Sequence, residues 1–261
     1  MTAIIYNNSK SFVLSEVINL LAYSKVTKSG DRTVNEDAVG ITILKDRACF
    51  TLCDGLGGHG FGEVASNIAT NVFDETFRRE FSSIDDFFNE AFSGAQNAIL
   101  AEQQRRNFRE GIKTTAVSLV MLNDRCKWAH IGDSRLYYFE GLGYPVRTHD
   151  HSVSQMLADA GEIREDEIRF HPDRSKLLRA LGDDEEAPRF EISESVSLSA
   201  PYAFLLCSDG FWEYITEDEM VLTLKKSDTP GGWLKEMYSI VLQSGKYSDM
   251  DNFSAISIMN K

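Results

Sequence analysis

Residues 38–62 read AVGITILKDRACFTLCDGLGGHGFG, and the change of pattern along them decides the fold. As far as Cys53 the stretch is rich in β-branched and aromatic residues around a polar break at Lys45-Asp46-Arg47, which reads as a β-hairpin. Its second strand runs straight into Asp54-Gly55. From Gly62 to Glu80, Val64, Ile68, Val72, Phe73 and Phe77 then recur at three- and four-residue intervals, the spacing of an amphipathic helix. A second helix is expected after Ser82-Ser83, with Asp85 and Asp86 in its first turn, running to about Arg106.

Further along, Thr114 to Leu122, Lys127 to Ile131 and Arg135 to Glu140 read as strands separated by turns at Asn123-Asp124 and Gly132-Asp133. Between His149 and Arg189 the chain turns polar, with a short helix near Val153 to Ala160 and a charged stretch at Glu162 to Glu167. That segment reads as a surface excursion. Strand pattern resumes at Phe190 to Ser197 and Tyr202 to Cys207; helices are expected near Glu217 to Lys225 and Trp233 to Ser244, and a last strand at Phe253 to Met259. Strands, two helices, strands, helices and a strand suit an α+β fold of antiparallel sheets flanked by helices. Phe12 to Tyr23 reads as a short amphipathic helix packing on the domain or on a partner, with packing on the domain favoured.

The 261 residues are 43% hydrophobic and 26% charged, enough for one domain with a substantial core, and no linker or low-complexity run divides them. A net charge of -13 argues against a broad basic surface for nucleic acid or anionic lipid. The sequence has no secretory leader pattern and no stretch of about 20 apolar residues, so a cytoplasmic protein is expected. Cys49, Cys53 and Cys207 sit in apolar strand-like runs and Cys126 is isolated, so none has zinc-ligand spacing and reduced, buried thiols are expected.

The chemistry-bearing pattern is an acid at the end of an apolar strand, and it occurs repeatedly. Asp54-Gly55 follows the first hairpin, Leu205-Leu206-Cys207-Ser208-Asp209-Gly210 repeats the arrangement, and Asp251-Asn252 precedes the last strand. Carboxylate, carbonyl and water oxygens are the ligand set of magnesium and manganese. Taken singly, each acid is as readily a helix cap or a surface charge. Gly55, Gly57 and Gly60 also satisfy the dinucleotide pattern G-x-G-x-x-G, but a carboxylate at Asp54 would stand against the pyrophosphate, and a helix rather than a parallel strand follows. Asp133 lies in the turn Gly132-Asp133-Ser134-Arg135. Arg32, Glu36 and Asp37 combine a planar cationic fork with two adjacent acids.

Taken in order, these segments resemble the metal-dependent protein phosphatases of type 2C, in the compact form common among bacterial enzymes. The matching pieces are R-x-x-N-E-D at 32–37, D-G-L-G-G-H-G-x-G-E-x-A-S at 54–66, T-T at 114–115 and G-D-S-R at 132–135. D-H-S at 150–152, H-P at 171–172, R-A-L-G at 179–182, S-D-G at 208–210 and D-N-x-S at 251–254 complete the match, which covers about residues 24 to 260 and leaves 1–23 as an extension. Lys113 stands where the family usually has glycine, and Ser254 where threonine is common.

The resemblance implies an α-β-β-α sandwich, a metal centre at one end of two packed antiparallel sheets, and hydrolysis of phosphoserine and phosphothreonine esters. Asp54 would bridge two Mn2+ or Mg2+ ions, with the Gly55 carbonyl on one and Asp209 and Asp251 on the other. Asp37, with Glu36 and Asn252 close by, would hold the inner shell through water; Arg32 would bind the substrate phosphate, and a third, weaker ion would lie near Asp133 and Asp209. His59 is the candidate to protonate the leaving group or position substrate. Two cations that acidify a bridging water and neutralise phosphoryl charge make a covalent enzyme intermediate unnecessary. Phosphoproteins and a serine/threonine kinase pathway are the expected partners. A phosphatase for a phosphorylated metabolite and a non-catalytic binding module are the alternatives. The acids of the 149–189 stretch raise a preference for basic sequence around the phosphosite.

Overall fold

The computed structural model describes residues 21–56, 61–108, 111–185, 187–199 and 201–261. The expected helix at 12–23 and the candidate His59 therefore fall outside the described residues, apart from the helix's last three positions. Those are corrected: Tyr23 belongs to an edge strand, β1 (Ala22–Lys28), paired antiparallel with the last strand of the chain. Tyr23 packs edge-on against Phe50 while Val26 faces the opposite layer, the period-two alternation of a strand.

In chain order the other strands are β2 (Asp37–Ile43), β3 (Arg47–Leu56), β4 (Lys113–Thr114), β5 (Ala116–Leu122), β6 (Arg125–Ile131) and β7 (Arg135–Glu140). They are followed by β8 (Val146–Arg147), β9 (Glu191–Ile192), β10 (Val196–Ser197), β11 (Tyr202–Cys207) and β12 (Phe253–Asn260). One sheet has the order β1-β12-β11-β7-β8 and the other β10-β6-β5-β3-β2, with β4 on the end of β3 and β9 on β6. Every pairing is antiparallel. Because β3 has antiparallel neighbours on both sides, the glycines after Asp54 do not sit in a βαβ unit, and the dinucleotide reading loses its structural basis.

Strand β3 shows why the fold has four layers. Ala48, Phe50 and Leu52 point into the space between the sheets, where they meet Val117, Leu119, Leu136, Phe204, Leu206 and Ile256. Cys49 and Cys53 point the other way, into a core closed by two helices, α1 (Gly62–Phe77) and α2 (Ile84–Arg106). Those helices contribute Ala65, Ala69, Phe73, Phe77, Phe87, Phe88 and Phe92, all buried. On the far face, α4 (Asp209–Trp212), α5 (Glu217–Lys226) and α6 (Pro230–Ser244) cover the first sheet with Trp212, Met220, Leu224, Trp233 and Met237. The result is the expected order of helices, sheet, sheet, helices.

Local signals account for the helix ends. Ser83 accepts the Asp86 N–H at 3.1 Å, so α2 starts where the serines and first-turn acids place it. Thr216 and Glu219 form a reciprocal capping box at the start of α5. The polar excursion carries α3 (Val153–Asp159), capped by Ser152, and one 3-10 turn at Glu165–Phe170. The stretch 190–197 is not one strand as read from sequence. The Ser193 hydroxyl takes the Trp128 N–H, and only the two short strands β9 and β10 remain beside β6. All four cysteines are buried and unbridged. Among the described residues no helix is long and apolar enough to cross a membrane.

Phe92 is fully buried, stacked on Phe190 at 4.1 Å and edge-on to Phe73 at 5.0 Å. Phe92→Ala leaves a cavity that neighbouring rings fill only in part and should destabilise the protein by roughly 3–5 kcal/mol. In urea titration the midpoint should fall while the slope stays constant.

Candidate metal centre

A cleft of about 470 Å³ opens at one end of the sheets. Arg32, Glu36, Asp54, Gly55, Asp133, Asp209, Asp251 and Asn252 line it, so most of the residues singled out from sequence are brought together. Asp37 lies directly beside them, because the β2–β3 register pairs it with Asp54. A larger hollow, about 820 Å³, lies at the other end near the 45–47 turn; its acids are the turn residues Asp46 and Asp124, and it gathers no comparable chemistry.

Each acid is held by a different element. Asp54 lies two residues before the end of β3, and its backbone is fixed on both sides by the threonine pair: the Asp54 N–H donates to Thr115 Oγ1 at 3.0 Å, and its carbonyl accepts from the Thr115 N–H and the Thr114 hydroxyl, both at 2.8 Å. The sequence marks this T-T pair only as a motif; its task is to anchor the strand end. Asp37 is buried, with Oδ2 accepting from the Ser208 hydroxyl at 2.8 Å. Among the described residues Asp37 Oδ1 has no hydrogen-bond partner. Asp209 begins α4 and accepts its own helix's Gly210 N–H at 2.6 Å. Asp133 is buried, and its carbonyl accepts from Trp212 Nε1 at 3.0 Å.

Glycine is required where these segments touch. A Cβ on Gly55 would lie 2.3 Å from the Gly62 carbonyl carbon and oxygen, and one on Gly210 would lie 2.2 Å from the Asn252 oxygen. The start of α1 can approach the end of β3 only because neither Gly55 nor Gly62 carries a side chain. At that junction the Glu36 carbonyl accepts the Gly55 N–H at 3.1 Å and the Ser66 hydroxyl at 2.6 Å. Asn252 ties the arginine-bearing loop down, donating to the Ser29 and Val34 carbonyls at 2.9 Å and accepting the Glu36 N–H at 2.7 Å.

The electrostatic consequence is strong mutual repulsion. Burial, then Asp37 and Asp209, hold the Asp54 carboxyl well above the usual aspartate range. Burial, then Asp209, does the same to Asp133. Burial raises Asp37 to about 6, and burial with Glu213 and Asp251 raises Asp209 to about 7. Burial raises Glu36 as well. The donors are all oxygen, one of them an unpartnered buried carboxylate oxygen, and a hard divalent cation is the charge that fits this set. Arg32 is the nearby cation, held at the cleft mouth by Asp251 through two contacts of 3.2 Å and by Asp249 at 3.5 Å.

Sequence reasoning missed the supports of the Gly132-Asp133 turn. His151 Nδ1 accepts the Gly132 N–H at 3.2 Å, which puts the His151 proton on Nε2, facing Glu191 at 3.1 Å. His130 stacks on His151 with ring centroids 4.7 Å apart, and burial keeps its pKa down at about 4. Both rings are thus neutral braces. Arg135 is gripped by Asp150 at 2.9 and 2.7 Å and lies 3.5 Å over the Trp212 ring. The D-H-S motif supplies two of these supports, but nothing in its spacing says so. In the polar excursion at 149–189, the flap, several acids are engaged inside the chain: Glu165 with Arg147 and Gln155, Asp166 and Glu167 with Arg164, and Asp173 with Lys176. Ser175 and Leu177 are the flap residues in the cleft wall, so the expected preference for basic sequence finds no support in these acids.

A family model described as protein phosphatase 2C matches residues 27–245. The serine/threonine phosphatase stp of Listeria monocytogenes is 28% identical over 232 residues, covering 86% of this chain and 89% of that protein. The structure of serine/threonine phosphatase Stp1 from Staphylococcus aureus superposes with a TM-score of 0.84 at 25% identity, covering 95% of this chain and 98% of that one. A PstP catalytic domain solved with two manganese ions gives a TM-score of 0.77 at 25% identity, covering 92% and 97%. With the four-layer fold, the strand-end aspartates and a family match over most of its length, the chain belongs to the protein phosphatase 2C family.

Proposed function

We propose that this protein is a metal-dependent serine/threonine phosphoprotein phosphatase whose centre is built by Asp37, Asp54, Gly55, Asp133, Asp209 and Asp251. The observation that carries the assignment is the convergence of buried carboxylates from separate elements on one cleft, with an Asp37 oxygen left unpartnered. Membership of the family and the manganese-bearing PstP domain support a dinuclear centre of Mn2+ or Mg2+. Asp54, whose carboxyl is raised by both Asp37 and Asp209, would be the carboxylate that serves both ions. Asp133 with Asp209 would take a weaker third ion.

Bound there, two divalent cations would acidify a water and draw charge from the phosphoryl oxygens. The chain's own groups do the rest. Arg32 offers a planar fork to phosphoryl oxygens, and a phosphate dianion would compete with Asp251 for it. Glu36 and Asn252 keep that loop in register with the carboxylates. Covalent catalysis by cysteine is disfavoured, since burial pushes Cys49 up to about 11 and Cys126 to about 12, with Cys53 and Cys207 higher still. Among the described residues no histidine lines the cleft, which leaves His59 as our candidate for protonating the leaving oxygen. Phosphoproteins as substrates imply a serine/threonine kinase acting on the same proteins.

Asp209→Asn and Asp251→Asn should each lower manganese-dependent phosphate release from a phosphothreonine peptide by about a hundredfold or more. Unchanged turnover in either variant would remove that residue from the centre.

Metal removal gives a second test through stability. Asp209 is raised to about 7 in the fold, against about 3.9 in an unfolded chain. The folded state thus binds more protons between these values, and this contribution to stability is fully present below about pH 4 and lost as pH rises through about 7. In chelator-treated protein Asp209→Asn should therefore melt higher than wild type near neutral pH, with the gap closing toward about pH 4. Added Mn2+ should reverse the order, stabilising wild type more. Parallel melting curves with no pH-dependent difference would refute the repulsive cluster.

A further inference from the structure

Three aliphatic side chains share the cleft with the carboxylates: Val34, Leu56 and Leu177. They come from the arginine loop, the end of β3 and the flap, so their meeting is a product of tertiary structure. Val34 is 39% exposed, and Leu56 and Leu177 are half-buried. Isolated exposed aliphatics are ordinary, but three converging on one concave site make a binding surface.

The shelf is also rigid. Around Leu177, the Val153 N–H donates to the Lys176 carbonyl at 2.9 Å and the Leu178 N–H to the His151 carbonyl at 2.8 Å. An ion pair from Arg174 to Glu213 fastens the same flap segment to the residue that ends α4. Val34 is held through its carbonyl by Asn252, and Leu56 by pairing with Lys113. At about 470 Å³ the cleft has the size of a ligand pocket rather than a phosphoryl niche. Among the described residues no flap acid, the obvious alternative source of selectivity, lines the cleft.

We infer that Val34, Leu56 and Leu177 select phosphoproteins carrying an aliphatic side chain beside the phosphorylated residue. This rests on the phosphatase reading of the cleft, with the phosphoryl group at the aspartates and the neighbouring residue against the shelf. An ordered apolar wall gains from burying an apolar partner and from little else, whereas among the described residues the flap puts Ser175 and Leu177, and no acid, into the cleft wall to meet a basic neighbour.

The test uses the full chain with Mn2+ and phosphothreonine peptides in which leucine or serine occupies, in turn, each of the two positions on either side of the phosphosite. At one position or more, kcat/KM should favour leucine by about tenfold. Leu177→Ser and Val34→Ser, on different segments, should each pull that ratio toward unity, and Leu177→Met should keep it. p-Nitrophenyl phosphate and the serine peptides with wild type make up the parallel arm. Hydrolysis there with equal turnover of every leucine and serine peptide would overturn the shelf and leave the phosphatase standing; no hydrolysis of any substrate would overturn both. A ratio that survives in Leu177→Ser and Val34→Ser would also refute it. The wild-type ratio decides even where a variant fails to fold.

Discussion

Carboxylates buried within reach of one another repel, and the rest of the site is arranged around that repulsion. Asp37, Asp54, Asp133 and Asp209 are placed where water screens them poorly, so each disfavours the ionised form of the next. A protein seldom keeps such a cluster for stability alone, since isolated buried charge costs several kcal/mol. The cost is offset when divalent cations neutralise the group. The same arrangement that makes the centre a weak point without ions would favour cation binding there.

Holding the acids against their repulsion takes a scaffold of backbone contacts. Thr114 and Thr115 lock the end of β3 under Asp54. Ser208 braces Asp37, and Trp212 joins the helix of Asp209 to the turn of Asp133. Asn252 fastens the loop that brings Arg32 to the cleft mouth. These supports leave little freedom for the centre to relax, as a site for ions of fixed coordination requires. Glycine at 55 and 210 lets main chains approach where any side chain would intervene.

The flap joins the centre at several points rather than lying loosely over it. Arg169 donates to the carbonyls of Trp212 and Ile215 at 2.6 Å, and Arg174 pairs with Glu213. Glu165, Asp166 and Glu167 are engaged by Arg164 of the same excursion and Arg147 of β8. What it presents to the cleft is Ser175 and an aliphatic face at Leu177.

By itself the sequence determined the elements whose signals are local. The strand carrying Asp54, the Ser83-capped helix α2 and strands β7 and β11 follow from alternation, periodicity and capping, because each depends on neighbouring residues. It also determined which acids to watch, since an aspartate after an apolar strand is visible in one dimension. Tertiary structure alone decided the rest. Only the β2–β3 register sets Asp37 beside Asp54, only the tertiary contacts of Asp31 with Met250 and of Asn252 with the arginine loop bring Arg32 near Asp251, and only the fold gives Thr115, His151 and Trp212 their tasks as supports. Edge strand β1 was illegible because its partner β12 lies more than two hundred residues away. The flap acids misled because a charge in sequence does not show its partner; pairing is a property of distance, which folding fixes.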